Sequence, residues 1–148
     1  MGLEWREAMS VDGGDIDEDH KYWLKLTCDL DAAFEGGVNK ERILEILKSL
    51  QYYTLYHFIR EEAIQKQIEY PDAEQHAAKH RQLAEVVDNA VKLFERDVSN
   101  EKGGRLRDDV AKLINAWIVG HIVKQDIPMR DYIRVRRKGH YRGPISTI

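Results

Sequence analysis

The stretch His57-Phe58-Ile59-Arg60-Glu61, followed across Tyr70-Pro71-Asp72 by His76-Ala77-Ala78-Lys79-His80, decides how this chain folds. It holds two pairs of potential metal ligands, each four residues apart. On an α-helix such residues differ by only about 40° in direction, so each pair shares a face. Pro71 cannot continue a helix, and Asp72 with Gln75 three residues on makes a capping-box-like start for the next one. Two helices joined by a tight turn, with polar ligands on their facing sides, are therefore expected here.

Outward from that stretch the helical period persists. The helix before the turn is expected from an Asn39 cap to about Glu69, because Ile43, Leu47, Leu50, Thr54, His57, Glu61, Ile64 and Ile68 keep one seam. The helix after it is expected to reach about Val98, with His76, His80, Leu83, Val87, Ala90 and Phe94 inward. An earlier helix, Asp17 to about Glu35, places His20, Trp23, Thr27, Leu30 and Phe34 on its stripe and stops at Gly36-Gly37. A later one is expected to line up Leu106, Val110, Leu113, Trp117 and His121. No alternating strand run or internal repeat is visible. The pattern predicts an all-α fold, an up-down-up-down antiparallel four-helix bundle over residues 17–129. Residues 1–16, ending in Asp12-Gly13-Gly14-Asp15, are read as an irregular N-terminal arm laid on the bundle. From Arg130 to Ile148 the helical pattern dissolves, and residues 130–148 are read as an irregular basic C-terminal tail, with six basic residues against Asp131.

Composition narrows the role. With 148 residues the chain suits one domain, long enough to bury roughly 70% of its unfolded surface. Its net charge of −3 does not favour nucleic acid as a partner. No apolar run is long enough for membrane insertion, and no signal or lipid-anchor motif stands at the N-terminus. The single Cys28 cannot form an internal disulfide and fits a reducing compartment, so the expected location is cytoplasmic. The basic tail is read first as a solvated terminus, with a linker to a further domain or a patch for an acidic protein partner or anionic lipid as the alternatives; the oligomeric state is open.

The chemistry lies on the seams. A lone inward histidine is more often a satisfied core residue than a ligand. Here five of six histidines point inward from all four helices, and burying them without partners would cost several kcal/mol. A metal satisfies them together. His121 and Asp126 are five apart, about 140° around an ideal helix, so both reach one site only if the helix widens. Pro128, which crowds the carbonyl of Lys124, predicts a wide turn or bulge near 121–126. Imidazoles with a minority of carboxylates and no thiolate suit iron, zinc, copper or nickel. Five His and two carboxylates exceed one ion's needs. Two ions sharing Glu61, Asp126 and a solvent-derived oxygen would leave one ion full and the other with a vacancy.

These residues carry a close resemblance to the hemerythrins, in particular single-domain bacterial members. It runs over about residues 3–133, through Leu3-Glu4-Trp5, Met9-Ser10-Val11, Ile16-Asp17-Glu18-Asp19-His20-Lys21, His57-x3-Glu61-Glu62, Tyr70-Pro71, His76-x3-His80 and Trp117-Ile118-x2-His121-Ile122-x3-Asp126. The resemblance implies a four-helix bundle around two non-haem iron ions with an oxo or hydroxo bridge. His76, His80 and His121 would hold the saturated iron, His20 and His57 the open one, and Glu61 and Asp126 would bridge. Trp117 and Ile118 match positions lining the family's O2 pocket, with Ile118 where Leu is usual. Gln65 stands where Met is usual, and Met129 where Tyr is frequent.

The implied activity is reversible O2 binding for transport, storage or delivery, without catalysis. An imidazole-rich site walled by apolar groups favours binding over turnover. An oxygen or redox sensor module, and a di-iron peroxidase or nitric-oxide scavenger, are the alternatives. Tyr52, Tyr53 and Tyr56 are read as packing rather than as proton relays, and His140 receives no metal role.

Overall fold

The computed structural model describes residues 4–37, 39–96 and 105–139. Among them every regular element is helical, with no strand. A 3-10 turn at Glu7–Met9 precedes α1 (Asp15–Glu35), α2 (Lys40–Gln67), α3 (Ala73–Arg96) and α4 (Arg105–His121). A π-helical turn, Ile122–Asp126, then leads to α5 (Met129–Gly139). The principal contacts run α1 to α2, α2 to α3, α3 to α4 and α4 back to α1, so four helices enclose one interior.

Two apolar clusters fill that interior, and a polar layer separates them. The main cluster includes Trp23, Leu30, Leu47, Leu50, Phe58, Leu83, Phe94, Ile114, Ile118 and Ile122. The smaller one joins Val11, Ile16, Ile64, Ile68, Met129 and Ile133. Along α1, His20 falls between Ile16 and Trp23; along α2, Glu61 falls between Phe58 and Ile64; beyond α4, Asp126 falls between Ile122 and Met129. The candidate ligands thus occupy one level with apolar packing above and below.

Helix boundaries follow the expected signals, with local departures. The Asn39 side chain accepts from the Arg42 N–H at 2.9 Å, capping α2. That helix ends at Gln67, two residues before the expected Glu69. Glu69 adopts φ +54°, and the Tyr70 N–H returns to the Gln65 carbonyl at 2.9 Å. Pro71 disfavours helical backbone at the residue before it, and the chain reverses just ahead of it. The expected end of α3 near Val98 lies outside the described residues.

Three expectations need correction. First, the inward row of α4 is Val110, Ile114, Ile118 and His121, whereas Leu113 is 44% and Trp117 39% exposed. Two apolar rows about 100° apart compete on that helix, and the β-branched row Ile114, Ile118, Ile122 takes the core. Second, the segment after Arg130 is not irregular as far as Gly139: it forms α5, anchored by buried Met129 and Ile133 in the smaller cluster. Tyr132 adds a hydrogen bond to the Glu69 carbonyl at 2.9 Å. Third, α1 begins at Asp15 rather than Asp17, and the arm before it is tightly bonded. The buried Asp12 carboxylate accepts from the N–H groups of Gly14, Ile16 and Asp17 at 2.8–3.1 Å. Asp17 reciprocates, accepting from the Ser10 hydroxyl and from the N–H groups of Val11 at 2.7 Å and Gly13 at 2.9 Å. Gly13 sits at φ +66°, the left-handed region that glycine enters without penalty.

Because Asp17 serves several donors at once, Asp17→Ala is expected to lower unfolding stability by about 2 kcal/mol. Hydrogen exchange at Val11 and Gly13 should accelerate in the same variant. Unchanged protection there would show that the arm is held by its apolar contacts alone.

Candidate metal centre

Seven side chains converge in the polar layer: His20 from α1, His57 and Glu61 from α2, His76 and His80 from α3, His121 from α4, and Asp126 from the π turn. All are buried, none more than 5% exposed. Their donor atoms form two groups that share the carboxylates. Glu61, His76, His80, His121 and Asp126 make one; His20, His57, Glu61 and Asp126 make the other.

Each carboxylate divides its two oxygens between the groups. Glu61 Oε1 lies 2.7 Å from His76 Nε2 and 3.1 Å from His80 Nε2. Its Oε2 lies 3.1 Å from His57 Nε2 and 3.9 Å from His20 Nε2. Asp126 Oδ1 lies 2.8 Å from His76 Nε2 and 2.9 Å from His121 Nε2, while Oδ2 lies 2.8 Å from His20 Nε2. Three imidazoles therefore face one side of the carboxylate pair and two face the other.

The backbone makes this possible at Ile122–Asp126. The Ile127 N–H bonds the Ile122 carbonyl at 2.9 Å, an i to i+5 step that widens the turn and brings Asp126 under His121. Pro128, without an N–H, cannot bond back to Lys124, as the expected bulge requires.

Hydrogen bonding does not account for the arrangement. Nε2 of His20, His57, His76 and His121, Glu61 Oε2 and both Asp126 oxygens are buried without a hydrogen-bond partner. His76 Nε2 lies against two carboxylate oxygens at once, and a single N–H can aim at only one. Lone pairs converging on shared points, with nitrogen and carboxylate donors and no thiolate, fit the coordination of cations.

A further ring of contacts orients the imidazoles. Asp19 Oδ2 lies 3.1 Å from His57 Nδ1, and its other oxygen accepts from the Tyr53 hydroxyl at 3.0 Å. Arg60 bridges Asp15 at 2.6 Å and Asp19 at 3.7 Å. Phe58 stacks on His80 with ring centroids 3.9 Å apart. Trp23 lies 5.2 Å from the His57 ring and donates to Thr54 Oγ1 at 3.0 Å. Sequence reasoning passed over Asp19 and Arg60. Their signal was present: the residue before His20 turns about 100° around α1, toward α2.

Electrostatics in the metal-free site are dominated by the two carboxylates. Burial disfavours charge on Glu61, but the close imidazoles of His57, His76 and His80 hold its pKa well below the usual carboxylate range. Asp126 is likewise lowered: burial and Glu61 oppose ionisation, and His121 and His20 outweigh them. Burial works against protonating His57, yet Glu61 and the Asp19 hydrogen bond raise it to about 10. His76 is raised to about 9 against its burial by Asp126 and Glu61. Burial pushes His80 down.

The two further sequence candidates separate. Ile118 is fully buried in the main cluster. Trp117 borders a surface cleft of about 320 Å³ that it shares with Lys79, Gly120 and His121.

Comparison with known proteins matches the chain to a family. The Hemerythrin HHE cation binding domain family matches residues 14–127. A bacteriohemerythrin of Stenotrophomonas maltophilia (strain R551-3) is 22% identical over 132 residues, covering 89% of this chain and 82% of its own length. Bacteriohemerythrins of Pseudomonas aeruginosa (strain LESB58) and Pseudomonas paraeruginosa (strain DSM 24068 / PA7) are each 26% identical over 132 residues, with the same coverage.

Cation loading must remove protons from imidazoles held above neutrality. Calorimetric titration of the metal-free chain with Fe2+ or Zn2+ at pH 7, in buffers of different ionisation enthalpy, should show about two protons released per chain, from His57 and His76. The raised values mean this release persists to about pH 8, whereas ordinary histidines would release almost none there. No release at pH 7 would contradict the electrostatic account.

Proposed function

Since the chain belongs to the hemerythrin HHE family, we propose that it binds O2 reversibly at a non-haem di-iron centre, for transport, storage or delivery. The observation that carries this reading is the unequal division of imidazoles across the two carboxylates, three on one side and two on the other. His76, His80 and His121 would complete one ion together with Glu61, Asp126 and a solvent-derived bridge. His20 and His57, with the same three bridges, would leave the other ion one position short. Iron, when bound, supplies the electrons that O2 takes up and returns.

The protein's part is to hold, exclude and orient. Glu61 and Asp126 each present both oxygens, so they fix the spacing between the two ions. Asp19, steadied by Tyr53 and Arg60, fixes the His57 ring by its outer nitrogen. Ile118 and Ile122 above the layer and Ile64 below it keep water from the centre. We assign Ile118 to the wall of the O2 pocket and Trp117 to its solvent edge. Limited access for water and protons supports binding over turnover, hence a carrier rather than an enzyme.

In this reading α1 to α4 run up-down-up-down as an antiparallel bundle, residues 17–129 forming the iron-binding unit. Residues 1–16 and 130–148 flank it, and α5 closes the end nearest the centre. A single cysteine, Cys28, which no second cysteine can bridge within the chain, supports a reducing, cytoplasmic setting. No helix among the described residues is long and apolar enough to cross a membrane.

Purified chain loaded anaerobically with Fe2+ should bind about two ions and develop a visible absorption band in air that disappears on deoxygenation, over repeated cycles. Two bound irons with no reversible spectral change would refute the carrier reading. Glu61→Ala should remove a donor from both ions and cut metal affinity by about 100-fold or more. Retention of two tightly held ions in that variant would place the centre elsewhere.

A further inference from the structure

The face of α2 turned away from the centre carries a second apolar stripe. Tyr52, Leu55, Tyr56 and Ile59 are 72%, 48%, 45% and 67% exposed. At about 100° per residue they fall within one quadrant, opposite the buried row Leu47, Leu50, Thr54, His57 and Glu61. A bundle helix ordinarily keeps its outer face polar. Tyr22 of α1, 44% exposed, packs on Tyr53 at 4.5 Å, and Tyr53 on Tyr56 at 5.9 Å, which widens the patch. A contiguous exposed apolar patch of this kind is characteristic of an interaction site.

The charges flanking the stripe identify the occupant. In the same quadrant, Glu45 and Lys48 precede it, and Ala63 and Lys66 follow it, all exposed. A two-fold axis through the midpoint of Leu55 and Tyr56 exchanges Tyr52 with Ile59, Lys48 with Ala63, and Glu45 with Lys66. Two copies of α2 laid antiparallel across that axis bring apolar residues together in the middle. Each Glu45 then meets a Lys66 at both ends. A parallel arrangement would set Glu45 against Glu45 and Lys66 against Lys66. Among the described residues, Glu45 ion-pairs only with the exposed Arg42, at 3.0 Å, and Lys66 has no ion-pair partner.

We infer that α2 pairs with α2 of a second copy of this chain, forming a two-fold symmetric, antiparallel dimer along Glu45 to Lys66. The two surfaces are the same patch, as a closed two-fold contact requires. The seam is about 32 Å long and one helix wide. That places it at the small end of specific interfaces, with a dissociation constant on the order of micromolar. The metal centre lies on the other side of the helix, so this inference stands independently of the proposed function.

Sedimentation equilibrium on the full metal-loaded chain, from about 1 to about 300 µM, reads the association directly. The expected mass rises from that of the 17.3 kDa chain to twice that value. Ile59→Lys should abolish the rise over this range. Glu45→Lys and Lys66→Glu should each weaken the dimer about tenfold, and the double reversal should return it to within about threefold of the original. A chain that stays monomeric throughout would overturn the inference and leave the stripe to another partner. So would an association that Ile59→Lys and the charge reversals leave unchanged, because a different face would then carry it.

Discussion

Two carboxylates and five imidazoles share one buried layer of this protein, and the rest of the structure answers that constraint. An ionised carboxylate with no compensation in a helical core would cost several kcal/mol. Here Glu61 and Asp126 are ionised and fully buried, and each meets nitrogens on two sides. The compensation is mutual only while all seven groups keep their places. This is why the layer draws on four helices and the π turn, and why apolar clusters close it from above and below. Removing one group leaves the others buried and unpaired.

The same layer separates two roles by geometry. One side of the carboxylate pair is crowded by three imidazoles, with Phe58 stacked on His80. The other side has two, and one of these, His57, is tied through Asp19 to Tyr53 and Arg60. The proposed function rests on this asymmetry, with the crowded side as the filled one and the other as the side left for O2.

The helices and the buried cluster of His, Glu and Asp were largely legible in the sequence because their signals are local. His57 with Glu61 and His76 with His80 are four apart, and Asn39, Gly36-Gly37 and Pro71 mark the ends. Even the π turn could be anticipated, from the five-residue step between His121 and Asp126 and from Pro128. What escaped depends on partners far apart in the chain. The core row of α4 was misread because Leu113 and Trp117 are as apolar as Ile114 and Ile118, and only packing chooses between them. The α5 helix was missed because its apolar anchors, Met129 and Ile133, are few and meet Val11, Ile16, Ile64 and Ile68 only in the folded chain. Asp19 was quoted within a motif, yet its contact with His57 spans 38 positions. Tyr52 and Tyr56 of the outer stripe were read as packing at the margin of the seam, although they are 72% and 45% exposed.

The central claim is that seven side chains hold two cations across one pair of carboxylates. Anomalous scattering at the iron edge, from crystals of the iron-loaded chain, tests it most directly. The account expects two peaks in the polar layer, both bordered by Glu61 and Asp126, one beside His76, His80 and His121 and the other beside His20 and His57. A single peak, or iron outside that layer, would contradict it.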